Sequence, residues 1–237
     1  MKKTKETAII MAAGLGSRML PLTETIAKPL VPVNGVAMIE TIIEALNERA
    51  VDKILVVTGY KQEQFAYLTS KYRNLELVYN HDYQKKNNIS SVQVAGGLIE
   101  EENCFICEGD LYVADKQIFQ VDLNTSCYFG RMVAGYSADW VFEREGEQIS
   151  RIGKGGTDLY NMAGLSFWLN EDFKKVLAAI NEAYDDEANW QLFWDEIVDR
   201  ILATIDLRVH PIAADQVVEI DTVAELNEVA LRFSKNG

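Results

Sequence analysis

The chain has 237 residues, of which 48% are hydrophobic and 25% are charged, an ordinary composition for a globular protein. Its formal net charge of −13 argues against a nucleic-acid partner, because phosphate backbones are held by basic surfaces. No apolar run approaches the roughly 20 residues that a membrane span needs, and the first residues lack a signal-peptide pattern. We therefore expect a cytoplasmic protein without membrane insertion.

Strand and helix patterns alternate through the first half of the chain. The hydrophobic pattern predicts strands at 7–13, 53–57, 75–79 and 104–107, and helices at 38–47, 61–72 and 90–99. Such alternation predicts a mostly parallel sheet with helices on both faces. Sheets of this kind bind ligands beyond the carboxyl ends of their strands.

The pattern changes after residue 110. Partly alternating strands are predicted at 126–133, 140–144 and 162–169, with a turn at 145–147. Helices are predicted at 171–183, 190–203 and 223–234, and short strands at 207–211 and 217–220. No repeat and no proline- or serine-rich linker divides the chain, so we expect one domain, 1–237, in which 111–237 packs over 1–110.

The three cysteines are too few for a disulfide framework. Cys104 and Cys107 resemble a metal pair only in spacing. Residues three apart in a strand face opposite sides of the sheet, so buried structural thiols are the favoured interpretation.

The first predicted strand runs into the glycine-rich loop Gly14-Leu15-Gly16-Ser17-Arg18, and Lys28-Pro29-Leu30 follows ten residues beyond Arg18. Without Cβ atoms at the two glycines, successive N–H groups can approach an anion closely. Arg18 and Lys28 add full positive charges, the first as a planar fork and the second as a mobile point charge. The loop is not a Walker A motif, and Met19 stands where the dinucleotide fingerprint needs its third glycine. Gly-x-Gly alone is typical of a tight turn, but the whole stretch indicates a nucleoside triphosphate site.

The stretch from Ala12 to Arg18, with Lys28-Pro29-Leu30, closely resembles the signature of nucleotidyltransferases that make activated sugars and alcohols. The resemblance implies a Rossmann-like mixed, mostly parallel sheet flanked by helices, the nucleotidyltransferase or GT-A-like fold. It implies a nucleotide-binding half at 1–110 and an acceptor-binding half at 111–237. It also implies that Arg18 and Lys28 are catalytic cations on the phosphates, lying in the cleft rather than in the core.

Two acidic motifs resemble the metal motifs of these enzymes. Glu108-Gly109-Asp110 stands in the place of the family's Asp-x-Asp, which implies Asp110 as a ligand of Mg²⁺ and Glu108 in a supporting part. Glu219-Ile220-Asp221 resembles the closing motif of cytidylyltransferases, which implies Asp221 as the second ligand. Without the resemblance, Asp221 or Thr222 as the cap of the last helix is favoured.

Aromatic residues in the second half indicate a site for a cationic acceptor. Trp190 and Trp194 are spaced to share one face of the helix predicted at 190–203, next to Asp195. Aromatic faces beside a carboxylate bind quaternary ammonium groups. Any single ring is more often part of the core, and Trp168 and Trp190 are assigned there.

The runs 87–91, 166–168, 192–195 and 219–221, with Trp140, extend the resemblance over nearly the full length, to bacterial CTP:phosphocholine cytidylyltransferases. It implies CTP and phosphocholine as substrates, Mg²⁺ as cofactor and pyrophosphate as product. The implied nucleotide-binding residues are Ala12, Ala13, Gly14, Leu15, Gly16, Ser17, Tyr60, Asn88 and Ser90. The implied acceptor-binding residues are Tyr112, Trp140, Lys154, Phe193, Trp194 and Asp195. Lys154 is equally well interpreted as a solvated loop lysine, and Glu108 and Phe193 depart from the family's commoner residues.

Other functions stay open at this point. Within enzymes, the acceptor could be an aminoalkylphosphonate, whose cation needs only carboxylates, or a sugar 1-phosphate, which needs hydrogen-bonding side chains. In a different class, the chain could be a non-catalytic nucleotide-binding regulator on the same fold. The presence of Arg18, Lys28, Asp110 and Asp221 argues against a regulator.

Overall fold

The computed structural model describes residues 4–234. The strands of this part of the chain are β1 (Glu6–Ala12), β2 (Pro32–Val33), β3 (Val36–Ala37), β4 (Lys53–Thr58), β5 (Leu75–Tyr79), β6 (Asn103–Glu108), β7 (Leu111–Val113), β8 (Ser126–Glu145), β9 (Gln148–Trp168), β10 (Leu207–Pro211) and β11 (Val217–Glu219). The α-helices are α1 (Met38–Glu48), α2 (Ala66–Lys71), α3 (Ile89–Gly96), α4 (Asn170–Tyr184), α5 (Trp194–Ile201) and α6 (Val223–Arg232).

Seven strands form one mixed sheet in the order β10-β8-β9-β6-β1-β4-β5. Strands β6, β1, β4 and β5 run parallel, whereas β9 pairs antiparallel with both β6 and β8. The predicted mixed, mostly parallel sheet flanked by helices is confirmed. Because β1 lies inside the sheet and both its faces are covered, it needs a continuous apolar run rather than an alternating one.

The two faces of the sheet have separate cores. Ile10 of β1 packs with Ile42 of α1 on one face, whereas Ile9 packs with Val92 of α3 and Val176 of α4 on the other. Cys104 and Cys107 lie in the two different cores and are free, buried thiols, in agreement with the strand geometry. Within residues 4–234, no helix is both long and apolar enough to traverse a bilayer.

The second half departs from the prediction in three places, and the largest is that the strand predicted at 162–169 is only the end of β9, which begins at Gln148. The segments predicted at 126–133 and 140–144 belong to one strand, β8, whose pairing with β9 shifts register between Val133 and Trp140. Such bulges interrupt the alternating pattern on which a strand prediction depends. The helix predicted at 190–203 is also shorter, because α5 begins at Trp194.

This later helix start corrects two assignments. Trp190 precedes α5 and therefore shares no helical face with Trp194. Its ring is only partly buried and lies 4.8 Å from the Lys86 ammonium, so it is not the core residue that was predicted. Trp168, by contrast, is fully buried, as expected.

The pairing of two short strands that lie far apart in the sequence brings the C-terminal part of the chain to the end of β1. Strand β11 pairs antiparallel with β7, directly after β6. Helix α6 then packs through Val229 on Met19, Val33 and Met38. The segment between β11 and α6 consequently lies beside the glycine-rich loop.

Candidate active site

The glycine-rich loop packs against the residue that supplies its charge. Gly16 has a φ of +65°, and a Cβ atom there would lie 2.7 Å from Lys28 Cβ. Only glycine satisfies both the left-handed backbone and the close approach. Thr23 Oγ1 also donates to Gly16 O at 3.0 Å, so the loop and the Lys28 segment form one local unit.

The four residues predicted to handle phosphates and metal come together at this end of the sheet. Lys28 Nζ lies 2.6 Å from Asp110 Oδ2 and 2.6 Å from Asp221 Oδ1. Arg18 Nη1 lies 2.5 Å from Asp221 Oδ2. Asp221 reaches this position because Ile220 N donates to Asp110 O at 3.1 Å, which continues the β7–β11 pairing.

Lys28 is buried, whereas Arg18 is accessible. The Lys28 side chain is 8% exposed and that of Arg18 is 69% exposed. Burial acts to lower the pKa of Lys28, but the carboxylates of Asp110 and Asp221 outweigh it and the pKa is raised above its ordinary value. The ammonium is therefore charged, and it neutralises two aspartates that face one another. The expectation that both cations lie outside the core holds for Arg18 and not for Lys28.

The two interpretations of Asp221 and Thr222 are separated by the structure. Thr222 Oγ1 accepts from Glu225 N, and Glu225 Oε2 accepts from Thr222 N, a capping box at the start of α6. Since Thr222 caps the helix, the Asp221 carboxylate is left to face Lys28 and Arg18.

A third and a fourth carboxylate approach the same point. Glu108, Asp110 and Glu219 each place one oxygen within 4.8 Å of the others. Loss of hydration raises the pKa of Glu108 well above its usual range, and Asp110 and Glu219 add to the effect. Glu219 is partly accessible to solvent. Loss of hydration and the nearby negative charges of Asp110 and Asp221 nevertheless raise its pKa to about 8.

This carboxylate cluster fits a divalent cation such as Mg²⁺. Hard cations prefer oxygen ligands, and the four carboxyl groups of Glu108, Asp110, Glu219 and Asp221 outnumber the two cations beside them, Lys28 and Arg18. Glu219 had no assigned role in the sequence analysis. Its position two residues before Asp221 could have indicated this role, because alternate residues of an extended segment face the same side.

The predicted nucleotide-binding residues differ in how accessible they are to a ligand. Ala12 and Ala13 are buried at the end of β1, whereas Gly14, Leu15 and Ser17 are exposed. Tyr60 N donates to Ala13 O at 3.1 Å and its hydroxyl donates to Thr23 O at 3.0 Å. Tyr60 therefore lies beside the loop and stabilises it through these two hydrogen bonds.

The Ser90 side chain does not face the proposed nucleotide site, contrary to the prediction. Its side chain is buried, donates to Asn87 O at 2.8 Å and accepts from Asn80 Nδ2 at 2.8 Å. The hydroxyl thus stabilises the first turn of α3 and is not presented to a nucleotide. Asn88 Oδ1 accepts from Trp194 N at 2.9 Å, which leaves only its amide N–H groups for a ligand.

Comparison with known proteins identifies the family. Residues 7–129 match the family model described as nucleotidyl transferase. The chain belongs to the nucleotidyl transferase family. It is an enzyme of the nucleotidyltransferase class, in agreement with the resemblance found in the sequence.

Relatives match this nucleotidyltransferase over nearly its full length. It is 49% identical over 223 residues to a 2-aminoethylphosphonate cytidylyltransferase of Lancefieldella rimae, covering 94% of this chain and 91% of that protein. It is 33% identical over 228 residues to a choline-phosphate cytidylyltransferase of Streptococcus pneumoniae, covering 94% and 96%. The solved structure of the CTP:phosphocholine cytidylyltransferase from Streptococcus pneumoniae superposes with a TM-score of 0.88 at 29% identity, covering 97% of this chain and all of that one.

Three of the predicted acceptor residues line an outer cleft of the nucleotidyltransferase, about 480 Å³ in volume. The Trp140 and Phe193 rings meet edge to face with centroids 5.5 Å apart. Lys154 Nζ lies 5.4 Å from the Trp140 centroid and 5.6 Å from that of Phe193. Helix α5 adds three charged residues to this cleft that were not predicted from the sequence, which are Glu196, Asp199 and Arg200.

Trp194 and Asp195 lie elsewhere, so the single aromatic cage that was predicted is wrong. Both are 3% exposed. The Trp194 ring packs 5.7 Å from that of Tyr128 and 5.8 Å from that of Trp168. Asp195 Oδ1 accepts from Tyr128 Oη at 2.7 Å, and burial raises the pKa of Asp195 to about 7. Phe193 has an extended backbone and directly precedes α5, whereas Trp194 is its first helical residue, so the two side chains point to different places.

Trp194 and Asp195 line a much smaller inner pocket, which they share with Glu108. Tyr112 lines neither cavity. Its ring packs on Phe233 with centroids 5.4 Å apart, in the cluster beneath α6. Tyr112 is therefore a packing residue in this structure and not an acceptor contact, because β7 turns its side chain toward α6.

Proposed function

We propose that this nucleotidyltransferase transfers a cytidylyl group from CTP to the phosphonate or phosphate of a small amine, with release of pyrophosphate. The observation that carries the proposal is the arrangement at the glycine-rich loop, where Lys28 Nζ lies 2.6 Å from both Asp110 and Asp221 and Arg18 contacts Asp221. The cytidylyltransferases that match the chain over nearly its full length support the choice of CTP.

Asp110, Asp221 and Glu219 would hold Mg²⁺. When bound, the ion supplies positive charge to the oxygens of the triphosphate and of the acceptor. The accessible Arg18 side chain can reach the β- and γ-phosphates, and Lys28 lies where an α-phosphate would approach the loop. Both cations stabilise the negative charge that develops on the leaving pyrophosphate.

The chemistry needs few further groups. The nucleophile is an oxygen of the acceptor's phosphonate or phosphate, which carries at least one negative charge at neutral pH; a phosphate monoester, whose second pKa is about 6, carries nearly two. No general base is required, so positioning and charge stabilisation account for catalysis.

Of two candidate acceptors, 2-aminoethylphosphonate is the first. The 49% identical relative carries that name. The inner pocket supports it further, because the carboxyl groups of Glu108 and Asp195 line it and no lysine or arginine does. A primary ammonium group is a compact, strongly hydrated charge that hydrogen-bonds to carboxylates.

Phosphocholine is the second candidate. Its support is the Trp140–Phe193 pair in the outer cleft, where Lys154 already places an ammonium near both rings. Aromatic faces that receive one cation are suited to a quaternary ammonium group.

A pyrophosphate-release assay tests the proposal. CTP, UTP, dTTP and GTP are each combined with 2-aminoethylphosphonate, phosphocholine or glucose 1-phosphate, with Mg²⁺ present and Asp110→Asn as the inactive control. We expect turnover with CTP and an amine-bearing acceptor. Preferred use of glucose 1-phosphate, or nucleotide binding without turnover of any pair, would show that the function is different.

A further inference from the structure

The inner pocket is a small cavity between the end of β6 and the start of α5. Its free volume is about 10 Å³, close to what one water molecule needs. Met11 and Trp194 form part of its apolar wall, and Glu108 and Asp195 approach it from different elements. A group of the size of an ammonium fits this space, whereas three methyl groups on the nitrogen do not.

The two carboxyl groups of the pocket have capacity to spare for a cation. Asp195 is 3% exposed, and Tyr128 occupies its Oδ1 only. The Glu108 carboxylate makes no hydrogen bond with any side chain or backbone group of residues 4–234. No lysine or arginine lines the pocket, so a positive charge from outside the chain would be its first cation.

Gly164 keeps Glu108 accessible. It has a φ of +72°, and a Cβ atom at this position would lie 3.0 Å from Glu108 Oε2. Any other residue would therefore be strained and would crowd the carboxylate. The backbone of β9 thus passes close to Glu108 without covering it.

The pocket also lies at the right distance from the reacting centre. A Glu108 carboxylate oxygen is within 4.8 Å of one on Asp110. An acceptor whose cation binds at Glu108 therefore needs only a short linker to bring its phosphonate or phosphate to the Lys28–Asp110–Asp221 site.

We propose that Glu108, together with Asp195, binds the primary ammonium group of the acceptor, and that the size of the inner pocket excludes a trimethylammonium group. This inference rests on the proposed function, which it deepens by assigning the residue that selects the acceptor. It makes Glu108 a specificity-determining residue rather than only a supporting residue of the metal site.

The first test compares phosphoethanolamine and phosphocholine, which differ only in three N-methyl groups, with 2-aminoethylphosphonate as a third acceptor. For the wild-type enzyme we expect kcat/KM with CTP to be about 100-fold higher for the two primary amines than for phosphocholine. Equal use of phosphoethanolamine and phosphocholine, or a preference for phosphocholine, would overturn the inference. This comparison needs no variant, so it stands even if a pocket variant does not fold.

The second test uses Glu108→Gln, which keeps the shape and removes the charge, beside Glu63→Gln as control, an exposed residue of the short 3-10 helix Gln62–Phe65. We expect the KM for both primary amines to rise about 10–100-fold, while that for phosphocholine and the Kd of Mg–CTP, titrated without acceptor, change less than about twofold. Weakened Mg–CTP binding with unchanged acceptor KM would instead make Glu108 a metal ligand and contradict the inference.

Failure of the proposed function has a different signature. In that case the wild-type enzyme releases no pyrophosphate from CTP with any of the three acceptors. Calorimetric titration of phosphoethanolamine and phosphocholine onto the protein with CTP present then still measures the preference for the head group. Equal affinities, or a Glu108→Gln variant that binds both as the wild type does, would contradict the inference by itself.

Discussion

At the scale of single residues, Lys28 holds together the proposed phosphate site. Its ammonium is buried, and burying a charge is unfavourable unless the charge is paired. Asp110 and Asp221 provide that pairing at 2.6 Å each. The same two carboxylates are the proposed metal ligands, so Lys28, the proposed phosphate-binding residue, also offsets their charge when no metal ion is bound.

Asp110→Asn tests the metal role. The amide can still accept a hydrogen bond from Lys28, so we expect a melting temperature close to that of the wild type. Turnover should fall by about three orders of magnitude, because a neutral group cannot offset the charge of the ion. Pyrophosphate release and thermal unfolding are the measurements. An active variant, or full wild-type activity in excess chelator, would contradict the assignment.

Arg18→Ala and Lys28→Ala should differ in stability although both lower kcat/KM. Arg18 is accessible and its loss should leave the melting temperature unchanged. Lys28→Ala removes the cation that Asp110 and Asp221 share and leaves only the exposed Arg18 beside Asp221, which should lower the free energy of unfolding by about 1–3 kcal/mol in metal-free buffer. Mg²⁺ should restore part of this loss. Denaturant unfolding with and without Mg²⁺ checks the prediction, and equal stability of both variants would argue against it.

At the scale of elements, the β8–β9 hairpin and α5 supply the residues of the proposed acceptor site. Trp140 and Lys154 come from the hairpin, whereas Phe193 and Asp195 come from the start of α5. The start of α5 is in turn tied to the segment before α3, where Asn87 N donates to Trp190 O at 2.7 Å and Asn88 Oδ1 accepts from Trp194 N. The elements that border the proposed nucleotide and acceptor sites are therefore directly connected.

Trp140→Ala separates the outer cleft from the inner pocket. Loss of the indole removes a favourable cation contact of about 1–2 kcal/mol, which corresponds to a 5- to 30-fold higher KM for phosphocholine. The KM for 2-aminoethylphosphonate should rise less, because its ammonium binds at Glu108, and the KM for CTP should not change. Steady-state kinetics with each substrate varied in turn gives these values. A variant impaired only toward CTP would place the tryptophan at the nucleotide instead.

At the scale of the whole molecule, acidic groups outnumber basic ones, with a formal net charge of −13. Part of this excess is concentrated in the cleft, where Glu108, Asp110, Glu219 and Asp221 lie near a single lysine. Such an arrangement lowers the stability of the folded state when the carboxyl groups ionise. Bound cations, from the metal or from the acceptor, relieve it.

The pH dependence of stability should report one of these groups, Asp195. Burial raises its pKa from 3.8 to about 7 in the folded protein. A folded-state pKa above the unfolded value means that its contribution to stability is complete below about pH 4 and is lost as the pH rises through 7. Between pH 5 and 8 the stability of the wild type should therefore fall relative to Asp195→Asn, by about 1–4 kcal/mol. Urea unfolding of both proteins at each pH measures the difference, and parallel curves would mean that Asp195 is ionised throughout.

Features that depend on local patterns could be predicted from the sequence alone. The apolar run of β1, the glycine-rich loop and Lys28 were recognised because an apolar run, missing Cβ atoms and charge are properties of neighbouring residues. The strand at 75–79 was likewise predicted with correct bounds, and the turn predicted at 145–147 is found at 146–147, because Glu145 still pairs with Gln148. The assignment of one domain and the catalytic roles of Arg18, Lys28, Asp110 and Asp221 stay predictions.

Tertiary structure decided which distant residues share a cavity. Glu219 joined the carboxylates only through the register of β11 on β7, and Asp195 came to Glu108 only because α5 packs against the sheet. Ser90 and Tyr112 were predicted to contact the substrates. The Ser90 hydroxyl instead accepts a hydrogen bond from Asn80, and the Tyr112 ring packs on Phe233 after α6. A residue's neighbours along the chain decide its conformation, whereas the strand register and helix packing decide which way its side chain points and what it meets there.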